Sequence, residues 1–209
     1  MITKEKFRNI FSLCVLLSFF SVMLVGCTGS SGPSTFYMLH SMEESSSKSV
    51  SSATGTKSVS VLLGPISLPG YLDRIQMVTV AGKNQMALDE FNRWVESLRD
   101  GFYRVLLEDL SLLLKTPKVY GYDREGSNAV DYQVVIDVTR FDCVPGGEAV
   151  LAAFWTVRGM GDSASNIRHK SVFRAPVSGA GFSEVVDAQN QTLTAFSREI
   201  ASAIQSLQR

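Results

Sequence analysis

Two histidines, three cysteines and a few glycine-rich runs are the places where this sequence could do acid–base, nucleophilic or phosphate-binding chemistry. A histidine works as a general base or metal ligand only beside a second group at a suitable spacing. His40 borders a serine-rich stretch and His169 lies between Arg168 and Lys170; neither has a partner that completes a ligand set, and both read as solvated loop residues. A serine nucleophile of the elbow type needs GxSxG at a strand-to-helix turn. Gly161-Asp162-Ser163-Ala164-Ser165 lacks the last glycine and leads into no helix. Gly159–Ala164 and Gly179–Glu184 have glycines at dinucleotide-loop spacing, yet the first opens a polar stretch. The second opens the last helix of the sequence, with no parallel strand after it to complete a βαβ unit. No GxxxxGK[ST] phosphate cradle occurs. The expectation is a protein that is not an enzyme, with no catalytic residue, no metal and no cofactor.

Composition agrees with that reading. The chain has 209 residues, 45% hydrophobic and 19% charged, with 20 basic and 20 acidic side chains. The apolar share is too high for a disordered chain, and the balanced charge excludes a protein built to hold nucleic-acid phosphates. Cys14, Cys27 and Cys143 have no partners at zinc-ligand spacing and too few of one another for a disulfide framework.

Cys27 is the residue with covalent chemistry to expect. Lys4, Lys6 and Arg8 precede the uncharged apolar run Ile10–Val25. As a helix this run rises about 24 Å, short of the ~30 Å hydrocarbon core of a bilayer, so it reads as an export signal. Leu24-Val25-Gly26-Cys27 resembles the bacterial lipobox, which implies diacylglycerol transfer to the Cys27 sulfur, cleavage after Gly26 and acylation of the new amino group. Residues 1–26 are then the signal peptide and 27–35 a lipidated tether. Thr28, where an Asp would favour inner-membrane retention, implies attachment to the outer membrane facing the periplasm. Cleavage removes three basic residues and one acidic one, taking the net charge from zero to about −2. Cys143 is left as a lone thiol, read as a small apolar filler near a strand end.

Elements must position whatever site remains. Phe36–Leu39 reads as a short first strand, and nine serines between Ser41 and Ser60 mark a solvated loop. Val59–Ile66 and Ile75–Val80 read as strands. Phe91, Trp94, Val95, Leu98, Phe102, Val105, Leu106 and Leu113 recur at three- and four-residue spacing. They predict one helix over Asp89–Lys115, about 40 Å long, with Asp89 and Glu90 at its start and Gly101 at a bend or close contact. On that stripe Phe91, Trp94 and Phe102 are core residues rather than a ligand cage. Tyr132–Thr139 alternates as a half-buried strand, and Pro145-Gly146-Gly147 turns it into Ala149–Arg158 as a hairpin. After a polar loop over Gly159–Lys170, Ser171–Val177 is a further strand. Ser183 caps a final helix lined by Leu193, Phe196, Ile200, Ile204 and Leu207. The expected fold is a two-layer α+β domain over residues 36–209, with a serine-rich loop at about 41–58. Its mixed or antiparallel sheet carries two amphipathic helices on one face.

Five segments in order carry a family resemblance: Phe36-Tyr37-Met38-Leu39; Gly64-Pro65-Ile66 with Leu68-Pro69-Gly70-Tyr71-Leu72-Asp73-Arg74; Arg93-Trp94; Val138-Thr139-Arg140-Phe141-Asp142; and Phe196-Ser197-Arg198-Glu199-Ile200-Ala201. Behind a lipobox, this set resembles the PqiC/YmbA-type lipoproteins, auxiliary lipoproteins of ABC-type transport systems with MCE-domain (mammalian cell entry) subunits. The serine-rich insertion and the apolar Leu151–Trp155 strand depart from the family pattern. The resemblance implies a non-catalytic outer-membrane lipoprotein that docks an inner-membrane, PqiB-like MCE subunit bridging the periplasm, in phospholipid transport and envelope integrity. Tyr71, Leu72, Asp73 and Arg74 sit in a proline-bounded loop suited to partner binding; the competing reading is a local Asp73–Arg74 pair that fixes the loop. Apolar residues on both faces of the hairpin are compatible with a homo-oligomer. The alternatives are an assembly or scaffold lipoprotein for another outer-membrane machine, and a periplasmic lipid-binding carrier with an internal apolar cavity. Arg168, His169 and Lys170 read as a solvated basic cluster, with lipid headgroups as the other reading.

Overall fold

Alternation and turn residues account for most of the strands. In the computed structural model they are β1 (Thr35–Tyr37), β2 (Val61–Ser67), β3 (Gln76–Gly82), β4 (Gln85–Trp94), β5 (Val119–Gly121), β6 (Tyr132–Cys143), β7 (Glu148–Gly159) and β8 (Asn166–Pro176). The helices are α1 (Leu98–Leu113) and α2 (Phe182–Leu207). The structure describes residues 32–42, 58–122, 130–161 and 165–208, together with Ser12. Cys27 with its lipobox, Cys14, and the serine-rich stretch over 43–57 lie outside the described residues. The chain divides into two compact units, 1–33 and 34–209, and the eight strands and two helices belong to the second.

The fold is α+β, with two mixed sheets where one was expected. The larger has the order β5-β2-β6-β7-β8, in which β2 runs parallel to β5 and β6 while β6, β7 and β8 are antiparallel. The smaller has the order β1-β4-β3; its β3 and β4 lie between β2 and α1 in the chain, whereas β1 precedes β2. Both helices lie on one face of the larger sheet. Phe102 of α1 meets Phe141 of β6 edge-on at 5.3 Å, and Phe196 of α2 packs on Phe102, Trp155 and Phe173. Aromatic pairs at such angles add to their area burial.

Local chemistry repairs the sheet where it breaks. Pro65 has no amide hydrogen to give the ladder, and the β2–β6 register shifts between Leu63 and Ile66. The Gln133 side chain donates to the Gly64 carbonyl at this bulge, at 3.0 Å. A second shift lies between Val138 and Arg140, where the Thr139 hydroxyl donates to the Ala152 carbonyl at 3.1 Å. Gly146, at φ +67°, takes the left-handed position of the β6–β7 turn.

Three expectations are corrected. The long helix over Asp89–Lys115 is a strand up to Trp94 and a helix only from Leu98. Ser97 starts it: its hydroxyl accepts from the Asp100 amide at 3.1 Å and donates to the Asp100 carboxylate at 2.6 Å. Asp89 instead folds its carboxylate onto the amides of Phe91 and Asn92 inside β4, and these bonds hold its pKa below the ordinary value despite partial burial. Leu98, Phe102, Val105 and Leu106 keep their place on the buried stripe, whereas Phe91 is 45% exposed. Gly101 is buried in the second turn of α1, where a side chain would press on Glu96.

The second correction concerns α2, which begins at Phe182 behind Gly181, with no side-chain cap, so Ser183 lies inside it. Glu184 in its first turn folds over Gly181, where a Cβ would collide with its carboxylate. The third is that β8 starts at Asn166, so residues 166–170 are strand rather than loop.

Candidate functional site

The Tyr71–Arg74 segment is held from beneath by β6. Trp155 meets Phe196, which places Trp155 and its register partners on the helix face of the large sheet. Alternation from there puts Arg140 and Asp142 on the opposite face, around the buried Phe141. Asp142 is only 5% exposed, and the Arg140 Nε donates to both its oxygens, at 2.8 and 3.1 Å. The Tyr71 hydroxyl donates to Asp142 Oδ2 at 3.1 Å. Burial, then the neighbouring Asp142 charge, pushes the Tyr71 pKa up to about 12, so the phenol stays a donor.

The rest of the loop divides sharply. Gly70–Leu72 forms one 3₁₀ turn whose Leu72 plugs into the core. Asp73 and Arg74 are exposed, but they do not pair with each other: Asp73 meets Arg99 of α1 at 3.3 Å, and Arg74 Nε donates to the Tyr71 carbonyl at 3.0 Å. The Asp73–Arg99 pair is about half exposed on both sides, so water screens it and it contributes little to stability. Of the four predicted contact residues, Tyr71 and Leu72 fix the loop while Asp73 and Arg74 face outward.

The polar groups elsewhere have structural partners. Asp109 of α1 is fully buried and accepts from the Met42 amide at 2.9 Å and the Ser197 hydroxyl at 2.7 Å, tying the first strand's exit and α2 to α1. Burial raises its pKa, partly offset by these two bonds. Arg104 joins Glu96, at 2.9 Å, to the Leu39 carbonyl, at 2.8 Å. The basic trio is split by the strand: His169 stacks on Trp155 at 5.1 Å on the helix face, while Lys170 points away, 5.2 Å above the Phe154 ring. His40 donates its amide to Asn190 and lines an open depression of about 400 Å³ with Phe36, Met38 and Val186. A second open depression, of about 410 Å³, lies on the helix-free face of the large sheet between Val135, Phe154 and Arg168. Cys143 is buried at the end of β6, and burial pushes its thiol up to about 12. No group of three or more acidic, histidine or cysteine residues among the described residues could hold a metal ion.

Within the hairpin, Val150 and Ala152 are already covered inside the chain, so its second face leaves Phe154 and, from β8, Val172 for any neighbour. The Arg140–Asp142 support of the loop was not singled out from the sequence. Its signal is a charged pair two residues apart on a strand whose other residues there, Phe141 and Cys143, are fully buried.

The sequence model of the ABC-type transport auxiliary lipoprotein component matches residues 37–201, from β1 nearly to the end of α2. The chain belongs to this family. Two solved structures share the auxiliary lipoprotein's fold. One is an uncharacterized protein at 20% identity and TM-score 0.66, covering 83% of this chain and 99% of its own. The other, from Xanthomonas campestris, shows 17% identity and TM-score 0.57 over 84% and 100%. No curated protein matches the chain. As a member of the family it is an auxiliary component of an ABC-type transport system, and its partners belong to that transporter. No helix among the described residues is long and apolar enough to cross a membrane.

Proposed function

We propose that this auxiliary lipoprotein is the outer-membrane subunit of an MCE-type, PqiABC-like intermembrane lipid transport system. It is anchored through lipidated Cys27, faces the periplasm, and docks the inner-membrane MCE subunit through the loop that presents Asp73 and Arg74. Phospholipid crosses water only in a sheltered path, and a path that bridges two membranes needs a fixed receiving end. Envelope integrity depends on that path in this reading.

The observation that carries the proposal is the bracing of the loop. Tyr71 is bonded to a buried carboxylate and Leu72 is inserted in the core, so Asp73 and Arg74 are presented with little conformational freedom left to lose on binding.

The test is photo-crosslinking in cells from position 74, with position 172 on β8 as the distant control, followed by mass spectrometry of the captured protein. The proposal expects an MCE-domain protein from position 74 and not from 172. Capture of a different outer-membrane machine, with the MCE protein present and untouched, contradicts it and favours an assembly role.

A further inference from the structure

The small sheet has one face in the core, and the other carries several exposed apolar side chains. Tyr37 and Trp94 are register partners on the core side. Phe36 and Arg93, one residue earlier on each strand, therefore share the other side, together with Gln76. Beyond the register break at Gln76, the alternation of β3 puts Leu88, opposite the buried Val78, and Met86, opposite Val80, on the same face. Phe36 is 60% exposed, Leu88 46% and Met86 37%, and Phe91, within the irregular stretch of β4, is exposed as well. More than half of the exposed large apolar side chains among the described residues fall within residues 36–38 and 75–95. Such concentration in one element marks an interaction surface rather than ordinary scatter. Lys83 stands exposed at the β3–β4 turn, at the end of the Val80–Met86 row.

We infer that this face of the small sheet rests on the membrane surface, with Phe36, Met86 and Leu88 at the boundary between headgroups and acyl chains and Lys83 reaching lipid phosphates. The occupant is argued from where the chain meets the sheet. β1 is the first strand and Phe36 its middle residue. The inference rests on the anchor at Cys27: eight residue steps lead from Cys27 to Thr35, and that length of chain spans at most about 29 Å. The anchored bilayer is thus always within reach of this face. Apolar side chains flanked by a long cation are the chemistry that an interface of headgroups and acyl chains favours.

The test uses the full lipidated chain in phosphatidylethanolamine–phosphatidylglycerol vesicles, carrying a polarity-sensitive fluorophore on Leu88→Cys or, separately, on Val172→Cys. Cys143 is buried with its thiol held protonated and takes no label. Quenchers attached to lipid headgroups should quench the label at 88 several-fold more strongly than the label at 172, with a blue-shifted emission at 88. Flotation of the same samples reads the anchor separately. A chain that floats while both labels stay equally accessible to water overturns the membrane-facing assignment and leaves the anchor standing; a chain that does not float overturns both. A label at 88 that is already shielded without vesicles, in a species of doubled mass, gives the face to a second copy and overturns the inference.

Discussion

Burial raises the pKa of the Asp109 carboxyl above its ordinary value. It has no exposure to water, and the Met42 amide, the Ser197 hydroxyl and the Arg198 charge offset its burial only in part. Its folded pKa is therefore above the ordinary value of 3.8, where the unfolded chain loses its proton. Between those two values the folded state binds more protons at this site than the unfolded one, so the contribution of Asp109 to stability is fully present below 3.8 and is lost as pH rises through the folded pKa. Asp109→Asn keeps a carbonyl for Met42 and removes the titration. Thermal melts from acid to neutral pH should show the melting temperature of the native chain dropping relative to the variant as pH rises; parallel curves would show that Asp109 is not the group responsible. This residue was invisible in the sequence because its partners are 67 and 88 positions away. The bond between Tyr71 and Asp142, 71 positions apart, was hidden for the same reason, although each residue stands in a segment that carries the resemblance. Cys143 was legible as a filler, since a lone thiol at the end of an alternating strand has few other roles.

Elements were legible where the pattern was local. Tyr132–Thr139 alternates, Pro145-Gly146-Gly147 turns, and Leu193, Phe196, Ile200 and Ile204 keep one helical face; each of these forms as its spacing predicts, the strand running on to Cys143 past a register shift. The segment from Asp89 to Trp94 failed because Phe91, Trp94, Val95 and Leu98 satisfy helical spacing while their fate is set by β1, whose parallel pairing joins Tyr37 to Trp94 across the chain. Helical periodicity cannot register a strand partner more than fifty residues away. The exposed apolar side chains of the small sheet were missed for the same reason. The two candidate starts of α1 are separable by mutation. Ser97→Ala removes the cap and should cost about 1 kcal/mol, lowering the melting temperature by about 2–4 °C, with helix content reduced in circular dichroism. Asp89→Ala should leave helix content unchanged, because Asp89 bonds amides within β4; a helix loss from this variant would contradict the observed boundary.

At the scale of the whole molecule, the fold separates tasks among surfaces. The large sheet and its two helices make the core; the small sheet turns an apolar face outward; and the loop between β2 and β3 is braced on the helix-free face of the large sheet. The α+β class was readable from the order of elements, whereas the division into two sheets depends on the parallel β1–β4 pair and was not. The claim that matters most is that the braced loop is the docking element of an auxiliary lipoprotein. Its most direct test is the affinity of the full chain for the MCE subunit, measured for the native protein, for Arg74→Glu, which reverses the presented charge, and for Tyr71→Phe, which removes the bond to Asp142. Arg74→Glu should bind at least tenfold more weakly with an unchanged melting temperature, since Arg74 is exposed and its side chain bonds the loop's own backbone. Tyr71→Phe should weaken binding less and lower the melting temperature slightly, by the loss of one hydrogen bond of about 1 kcal/mol. Native affinity in both variants would contradict the docking role of the loop.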